Sequence, residues 1–322
     1  MKTKIFITGS SGFIGFHVSK RYLDKGFKVC GFDSMNNYYD VGLKKSRLKI
    51  LKNYKNFSFI KGNLENQKIL NRSIIRFKPS IIIHLAAQAG VRYSIEDPSK
   101  YLDTNIVGFF NIMEQCKENK IRHFLFASTS SVYGDNKNFP LQEHDINNKP
   151  LSFYAATKLS NEVMAYSYSN IYRLPITGLR FFTVYGPFGR PDMALYKFAK
   201  AIKESKFIKL FNGGNHIRDF TYIDDVVSAI ILLIKNPPKK RIPYEIYNIG
   251  SSRPETLRNY LSKLENKLGK KAKIKKLKLQ KGDVLKTHAS ISKLKNKTKF
   301  KVKFDISSGI SKFVDWFNKY YN

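Results

Sequence analysis

The chain of 322 residues contains few acidic residues, only two cysteines and no long apolar run. Its longest apolar stretch, Val226 to Ile234, is much shorter than the roughly 18 residues that suggest a membrane-spanning helix. The N-terminus also lacks the apolar segment of a secretory signal. We therefore expect a cytoplasmic protein without a membrane span, built as one large domain or two coupled ones.

The two cysteines and the histidines have no spacing that suggests a metal site. Cys30 falls in a predicted strand and Cys116 in a predicted helix, which is typical of reduced thiols in a protein core. The six histidines are scattered along the chain, and His84 lies within an apolar run where a core position is expected. The sequence therefore predicts no metal.

The shortage of acidic residues leaves a strongly positive chain. There are 24 acidic and 58 basic residues, for a formal net charge of +34. A basic protein invites a nucleic-acid partner, but the excess is mostly lysine, and Ile, Asn, Phe and Tyr are also abundant. These residues have A/T-rich codons, so genome composition explains the charge better, and we expect no nucleic-acid partner. The positive field would still steer an anionic substrate.

Strand-like and helix-like segments alternate along the first part of the chain. Apolar runs occur at 4–8, 27–33, 57–61, 80–85, 121–128 and 175–182. Helical patterns occur at 12–25, 98–119 and 151–172. This alternation predicts an α/β fold with a Rossmann-like, doubly wound parallel sheet.

The glycine-rich N-terminus indicates a dinucleotide site. Gly9, Gly12 and Gly15 follow the first apolar run with the spacing G-x-x-G-x-x-G. Small residues let the backbone approach a pyrophosphate, whose charge the helix N-terminus stabilises. Asp33 ends the second predicted strand, where an acid binds ribose hydroxyls and repels a 2′-phosphate. The pattern predicts NAD rather than NADP.

A change in the sequence pattern after Pro187 suggests a second domain. The strands become shorter and the loops longer beyond this residue. We expect an NAD-binding domain at 1–187 and a smaller, mainly substrate-binding α/β domain at 188–322. Segments near 219–250 are expected to pack back on the first domain.

Three residues have the chemistry of an alcohol dehydrogenation site. Tyr154 and Lys158 are four residues apart, so on a helix they share one face. A lysine beside a phenol lowers the phenol's pKa and favours the phenolate base. The hydroxyl of Thr129 can relay the proton from a substrate alcohol. These residues predict removal of a proton and a hydride from a carbinol beside a nicotinamide.

Four longer segments carry a resemblance to a known family. They are residues 31–40, 86–94, 180–194 and 218–225. On them the chain resembles, over essentially its whole length, the nucleotide-sugar epimerases of the extended short-chain dehydrogenase/reductases, and most closely those that act on UDP-glucuronate. The resemblance implies tightly held NAD, a C-terminal domain that closes over a UDP-sugar, and a homodimer formed through 98–119 and 151–172.

The resemblance also implies the residues of the site. The expected cofactor-binding residues are Gly9, Gly12, Phe13, Ile14, Gly15, Asp33, Asn37, Asn63, Leu64, Leu85, Ala86, Ala87, Tyr154 and Lys158. The expected substrate-binding residues are Arg92, Thr129, Ser130, Ser131, Thr183, Arg190, Arg218 and Asp283. Among them, Arg218 matches the arginine that grips the diphosphate, Asp283 a position near the uridine ribose, and Asn63 a position where an aspartate commonly contacts adenine.

The residues after Thr129 indicate which reaction follows oxidation at C4. Related dehydratases and decarboxylases place carboxylates where this chain has Ser130 and Ser131. These hydroxyls suit hydrogen bonds to a substrate carboxylate, as do Thr183, which replaces the asparagine common in neutral-hexose epimerases, and Arg92. We expect conversion of UDP-glucuronate to UDP-galacturonate through a 4-keto intermediate, in polysaccharide biosynthesis. The alternatives are 4-epimerisation of UDP-glucose or UDP-N-acetylglucosamine, or decarboxylation of UDP-glucuronate.

Overall fold

The structure is a computed structural model that describes residues 3–146, 148–278 and 284–321. Its strands are β1 Lys4–Thr8, β2 Lys28–Asp33, β3 Phe57–Lys61, β4 Ile81–His84, β5 His123–Thr129, β6 Ile176–Phe181, β7 Thr183–Tyr185, β8 Phe207–Phe211, β9 Ile217–Tyr222, β10 Tyr244–Ile249, β11 Pro254–Thr256 and β12 Lys273–Leu277. Its α-helices are α1 Phe13–Asp24, α2 Val41–Lys52, α3 Gln67–Phe77, α4 Tyr93–Glu96, α5 Ser99–Tyr101, α6 Gly108–Glu118, α7 Phe153–Tyr172, α8 Ala194–Lys203, α9 Ile223–Lys235, α10 Leu257–Leu268, α11 Ser292–Thr298 and α12 Ile306–Tyr321.

A seven-stranded parallel sheet forms the centre of the molecule. Its strand order is β10-β6-β5-β4-β1-β2-β3. Strands β1 to β3 are added in one direction across the sheet and the strands from β4 onwards in the other, so the order reverses between β1 and β4. Helices cover both faces, which confirms the predicted Rossmann-like α/β fold. In such a sheet, ligands bind beyond the carboxyl ends of the strands at the reversal point.

Alternate residues of the central strands pack into two separate hydrophobic cores. Ile5 and Ile7 of β1 pack in a cluster that includes α1 and α9, whereas Phe6 faces the cluster that contains residues of α3 and α6. This is the two-residue period of a strand buried on both faces. His84, at the end of β4, is buried, and its Nδ1 is 2.9 Å from the hydroxyl of Thr8, as expected of a core histidine.

The helix predicted at 98–119 is not continuous. The structure has α5, then a π-helical segment at Leu102–Val107, then α6. Buried Asn105 in this segment accepts from Gln88 N (2.9 Å) and donates to Gln88 O (3.0 Å) and Thr157 Oγ1 (3.1 Å), while its own carbonyl accepts from Asn161 Nδ2 (2.6 Å). These bonds hold Asn105 inward and account for the wider turn. Such turns are frequent at functional sites.

The C-terminal part of the chain builds smaller elements above the carboxyl ends of the strands. β7, β9 and β11 form a three-stranded sheet, and β8 pairs with β12. β10 returns to the central sheet beside β6, and α9 packs against α1, so the chain crosses between the two parts more than once. A domain boundary at 187 stays a prediction. In the described part of the chain, no helix has the length and apolar character needed to cross a membrane.

Candidate active site

One large cavity opens beyond the carboxyl ends of β1 and β4. Its volume is about 1350 Å³, above the ~300–1,000 Å³ of a typical small-ligand pocket, so two ligands can lie in it together. The predicted site residues on its wall are Gly9, Gly12, Phe13, Ile14, Gly15, Asp33, Asn63, Leu64, Leu85, Ala86, Ala87, Arg92, Thr129, Ser130, Ser131, Tyr154, Lys158, Thr183, Arg190 and Arg218.

Two predicted residues are not placed on this wall. Asn37 does not line the cavity, and its neighbour Asn36 takes that place. The loop after Asp33 turns between these two positions, which the sequence alone does not reveal. Asp283 lies outside the described residues.

The glycine turn fits a diphosphate because its backbone packs so closely against neighbouring backbone atoms that Gly9 and Gly15 leave no room for a side chain. Gly9 has φ +70°, and a Cβ there would lie 2.7 Å from the backbone nitrogen of Ala86. A Cβ at Gly15 would collide with the carbonyl oxygen of Gly9. The N-cap of α1, Gly12, has no side chain to bond the first N–H groups of the helix. Those groups stay available to an anion.

Asp33 fits the adenosine ribose of a dinucleotide. Its carboxylate is buried at the end of β2 and accepts from Ser11 N (2.9 Å) and Met35 N (2.8 Å). An ionised carboxylate has about four acceptor sites, so two bonds leave capacity for ribose hydroxyls. A 2′-phosphate on that ribose would meet the negative charge of Asp33. The residues present therefore fit NAD.

The three predicted catalytic residues meet at one place. Tyr154 and Lys158 stand one turn apart on α7, and Thr129 ends β5. Burial raises the pKa of Tyr154, against a hydrogen bond from Thr129 and the positive charge of Arg190. The sequence predicted a lowered pKa for Tyr154, and the structure gives the opposite direction. The reason is that burial outweighs the nearby charges and also lowers the pKa of Lys158 to about 7.

Next to these three residues lies a buried ion pair that the sequence analysis did not predict. Arg180 of β6 donates to Glu162 through Nε (2.9 Å) and Nη2 (2.7 Å), and Ser128 Oγ donates to Glu162 Oε1 (2.5 Å). Glu162 is one turn beyond Lys158 on α7, and its charge raises the pKa of Lys158 against the effect of burial. Two signals were present in the sequence. Glu162 continues the four-residue spacing of Tyr154 and Lys158, and Arg180 is a charged residue inside an apolar run.

Small hydroxyl residues surround the catalytic group. Ser130 and Ser131 begin a 3₁₀ turn directly after β5, and Ser131 N donates to Thr129 Oγ1 (3.2 Å). Thr183 begins β7, two residues after the β6 residue that pairs with Thr129. The structure thus brings the three hydroxyl residues among the predicted carboxylate partners to one cavity wall.

Three arginines occupy different parts of the wall. Arg190 forms a two-bond ion pair with Asp192 (3.0 and 2.5 Å), and its charge acts on Tyr154. Arg92 lies with its guanidinium carbon 5.1 Å from the ring centre of Phe211. Arg218 donates from Nη1 to its own neighbour's carbonyl, Ile217 O, at 3.0 Å. Their positions give positive charge both near the phenol and at the β9 side of the cavity.

No cluster suited to a metal occurs among the residues that the structure describes. Groups of three or more His, Cys, Asp or Glu side chains close enough to hold an ion are absent from this part of the chain.

Comparison with known proteins gives consistent matches over nearly the whole chain. The NAD dependent epimerase/dehydratase family matches residues 5–250. Protein CapI of Staphylococcus aureus is 49% identical over 332 residues, covering 99% of each chain. A probable UDP-glucuronate 4-epimerase of Rhizobium meliloti is 43% identical, covering 99% of this chain and 98% of that protein. The crystal structure of UDP-glucuronic acid 4-epimerase from Bacillus cereus with UDP-glucuronic acid and NAD superposes with a TM-score of 0.92 at 34% identity, covering 99% of this chain and 100% of that chain.

Proposed function

Because the chain belongs to the NAD-dependent epimerase/dehydratase family, we propose that it inverts C4 of UDP-glucuronate to give UDP-galacturonate with NAD that stays bound. The observation that carries the proposal is a shared cavity wall. The catalytic group of Thr129, Tyr154 and Lys158 lines the same cavity as the hydroxyls of Ser130, Ser131 and Thr183. Relatives named for this activity, and a structure that holds these two ligands, support it.

Tyr154 is the base and acid of the proposed reaction. NAD, when bound, accepts and returns the hydride, and its positive nicotinamide ring adds attraction for a phenolate. Tyr154 takes the proton of the C4 hydroxyl, Thr129 relays it, and protonated Lys158 stabilises the phenolate. After the 4-keto sugar has turned about its diphosphate linkage and presents its other face for reduction, Tyr154 gives the proton back to the C4 oxygen. Arg218 holds the diphosphate through this turn, since a guanidinium bonds phosphate oxygens with two parallel donors.

The hydroxyl residues hold the carboxylate of the sugar. A 4-keto uronate is a β-keto acid, which loses carbon dioxide when the C–C bond to its carboxylate aligns with the ketone π system. Fixed hydrogen bonds from Ser130, Ser131 and Thr183 keep this bond out of alignment. The same hydroxyls disfavour the two alternatives, because decarboxylases and dehydratases need a carboxylate at the serine positions and neutral hexoses offer no charge to bind.

We also propose that the protein is a homodimer. Apolar side chains are exposed along α7 and at the start of α6, including Val163 (65% exposed), Tyr166 (48%) and Phe110 (44%). Exposed apolar groups that cluster on neighbouring helices indicate a protein interface. A second copy of the chain that presents the same two helices covers this surface with matching apolar residues.

A substrate panel tests the proposed function. The purified protein is incubated separately with UDP-glucuronate, UDP-glucose and UDP-N-acetylglucosamine, and the products are identified by NMR. We expect kcat/KM for UDP-glucuronate to exceed that for either neutral sugar by about 10²-fold or more, since a lost hydrogen bond to a charged group costs ~1.5–3 kcal/mol. A preference for a neutral sugar, or a UDP-pentose as the main product, would overturn the proposal.

A further inference from the structure

Arg47 is a buried charge that the proposed mechanism does not use. It lies in the middle of α2, and its side chain is fully buried. Within the described part of the chain, no carboxylate lies within ion-pair distance of it. Burying an unpaired guanidinium is costly unless its donors meet acceptors. Both terminal nitrogens of Arg47 do so, whereas its buried Nε has no partner among the described residues.

The guanidinium joins two segments that are far apart in the sequence. Nη1 donates to the carbonyl of Ser11 (2.9 Å) and to Tyr39 Oη (2.8 Å). Nη2 donates to the carbonyls of Phe188 (2.6 Å) and Gly189 (3.4 Å). Ser11 belongs to the glycine turn, and its N–H donates to Asp33. One side chain therefore fixes the dinucleotide turn and the segment directly before Arg190.

The segment before Arg190 has a backbone that needs outside support. Phe188 has φ +56° although it is not glycine, a conformation that persists only where the surroundings hold it. Besides Arg47, His17 of α1 holds this segment, with Nε2 2.9 Å from the carbonyl of Pro187. The ring of Phe188 packs on Phe16 at a centroid distance of 4.9 Å. These supports come from α1 and α2, and Trp316 of α12 also packs on the ring of Phe188 at a centroid distance of 4.9 Å.

The next residues of this segment face the catalytic group. Arg190 lines the cavity, is paired with Asp192, and its charge acts on Tyr154. Tyr38, in the loop after β2, also donates to Asp192 (3.4 Å). Arg47 therefore links the glycine turn to the segment that leads to Arg190 on the cavity wall.

We propose that Arg47 is a positioning residue that couples the dinucleotide turn to the Arg190 segment, so that retention of NAD and binding of a uridine nucleotide strengthen each other. The proposal rests on the proposed function only in taking NAD and a uridine nucleotide as the two ligands. Coupling between two sites is reciprocal, so each ligand changes the affinity of the other by the same factor. An arginine suits this role because its rigid planar fork holds two terminal nitrogens apart in fixed directions, whereas the donors of an ammonium share one nitrogen on a flexible chain.

Exchange of bound NAD tests the coupling without requiring epimerisation. The holoenzyme is mixed with excess isotopically labelled NAD, and the rate of exchange is measured with and without saturating UDP. In the unmodified protein we expect UDP to slow exchange by about fivefold or more, the lower end of typical coupling. In Arg47→Met we expect faster exchange and little or no effect of UDP.

Two further variants separate coupling from loss of stability. Leu51→Ala removes a buried side chain from the same helix but none of the hydrogen bonds of Arg47, and UDP should slow exchange in it as in the unmodified protein. Arg47→Lys keeps the charge but loses the fork, so the UDP effect should fall as in Arg47→Met. The Arg47→Lys variant also tests the coupling if the Arg47→Met variant does not fold.

Three outcomes would overturn the proposal. UDP without effect in the unmodified protein means that the sites are not coupled. A full UDP effect in both Arg47 variants means that Arg47 supports the glycine turn alone. Loss of the effect in Leu51→Ala to the same extent means that general loosening is the cause. These outcomes can be interpreted even if the protein does not convert UDP-glucuronate, because the exchange experiment uses only UDP and NAD.

Discussion

The ammonium group of Lys158 loses its proton more easily than that of an exposed lysine. Burial lowers its pKa to about 7, and the charge of Glu162 opposes part of that shift. A positive Lys158 is what favours the phenolate of Tyr154, whose own pKa is raised by burial. We therefore expect catalysis near neutral pH to depend on Glu162, a carboxylate that does not itself line the cavity.

Glu162→Gln should shift the pH dependence of the enzyme. In the unmodified protein the positive charge of Lys158 is present below pH about 7 and is lost as the pH rises through that value. Removal of the Glu162 charge lowers the pKa of Lys158 further, so the fall of kcat/KM on the alkaline side should begin at lower pH. Profiles from pH 5.5 to 9.5 measure this, with circular dichroism to verify folding.

Glu245→Gln is the matched control for that shift. Glu245 is also nearly buried, but it pairs with Lys240 and Lys293 at the sheet edge. Its replacement should leave the profile in place. An alkaline limb that stays fixed in Glu162→Gln, or that moves to higher pH, contradicts the role given to Glu162.

The carboxylate pocket is tested by combining Thr183→Asn with Ser131→Ala. Each lost hydrogen bond to a charged group is worth about 1.5–3 kcal/mol, so preference for UDP-glucuronate over UDP-glucose should fall by about 10²-fold or more. A loosened carboxylate should also give some UDP-pentose. Product analysis with both substrates measures this. An unchanged preference without pentose means that the acid is bound elsewhere, with Arg92 as the first residue to examine.

Local motifs gave most of the site, whereas long-range partners did not follow from them. The glycines, Asp33 and the Tyr154/Lys158 pair could be predicted because their spacing along one strand or helix already fixes their geometry. Arg47 could not, because a basic residue in a lysine-rich helix has the pattern of a solvated face. Its acceptors lie in two other segments that only the folded chain brings together.

Among the secondary-structure elements, the strands were the easiest to predict from the sequence. The six predicted apolar runs correspond to β1 to β6, with ends that differ by two residues at most. Except in the edge strand β3, their side chains are largely buried on both faces, so the runs are continuous and short. The break in the helix predicted at 98–119 was not visible, because it depends on the bonds of Asn105 to Gln88 and Thr157, far away in the sequence.

Asn105→Ala should test what the π-helical segment contributes. It removes the side-chain partner of the Gln88 backbone N–H and carbonyl and one of the two hydrogen bonds of Thr157 Oγ1, so the free energy of unfolding should fall by about 1–3 kcal/mol. Because α7 also carries Tyr154, kcat should fall as well. Gln115→Ala, at a buried polar position of α6, is the control, with lower stability but an unchanged kcat. Urea unfolding and initial rates measure both. An unchanged kcat in Asn105→Ala would limit the segment to a structural role.

At the scale of the whole molecule, the cavity unites elements from both parts of the chain. The central sheet and α7 supply the glycine turn and the predicted catalytic residues, and the elements after Pro187 supply other wall residues, such as Arg190 and Arg218. β10 and α9 return to the first part, so the two parts are tied by several crossings. The exposed apolar side chains of α6 and α7 lie outside this cavity and form the proposed dimer interface.

Val163→Lys with Tyr166→Lys should convert the proposed dimer into a monomer. Two lysines on each copy place four like charges in an apolar interface, which opposes association. Light scattering after size-exclusion chromatography measures the mass. Ile75→Lys replaces an apolar residue of α3 that is 56% exposed, and this control should stay dimeric. A monomer before any substitution, or a dimer in the double variant, contradicts the assigned interface.

Conversion of UDP-glucuronate in D₂O tests the central claim most directly. The protein is used as purified, with no added nicotinamide, and the product is followed by ¹H NMR. If NAD stays bound and the hydride taken from C4 returns to C4, UDP-galacturonate accumulates with hydrogen, not deuterium, at C4. No conversion without added cofactor, deuterium at C4 or C5, or a pentose product would contradict a C4 inversion by a borrowed and returned hydride.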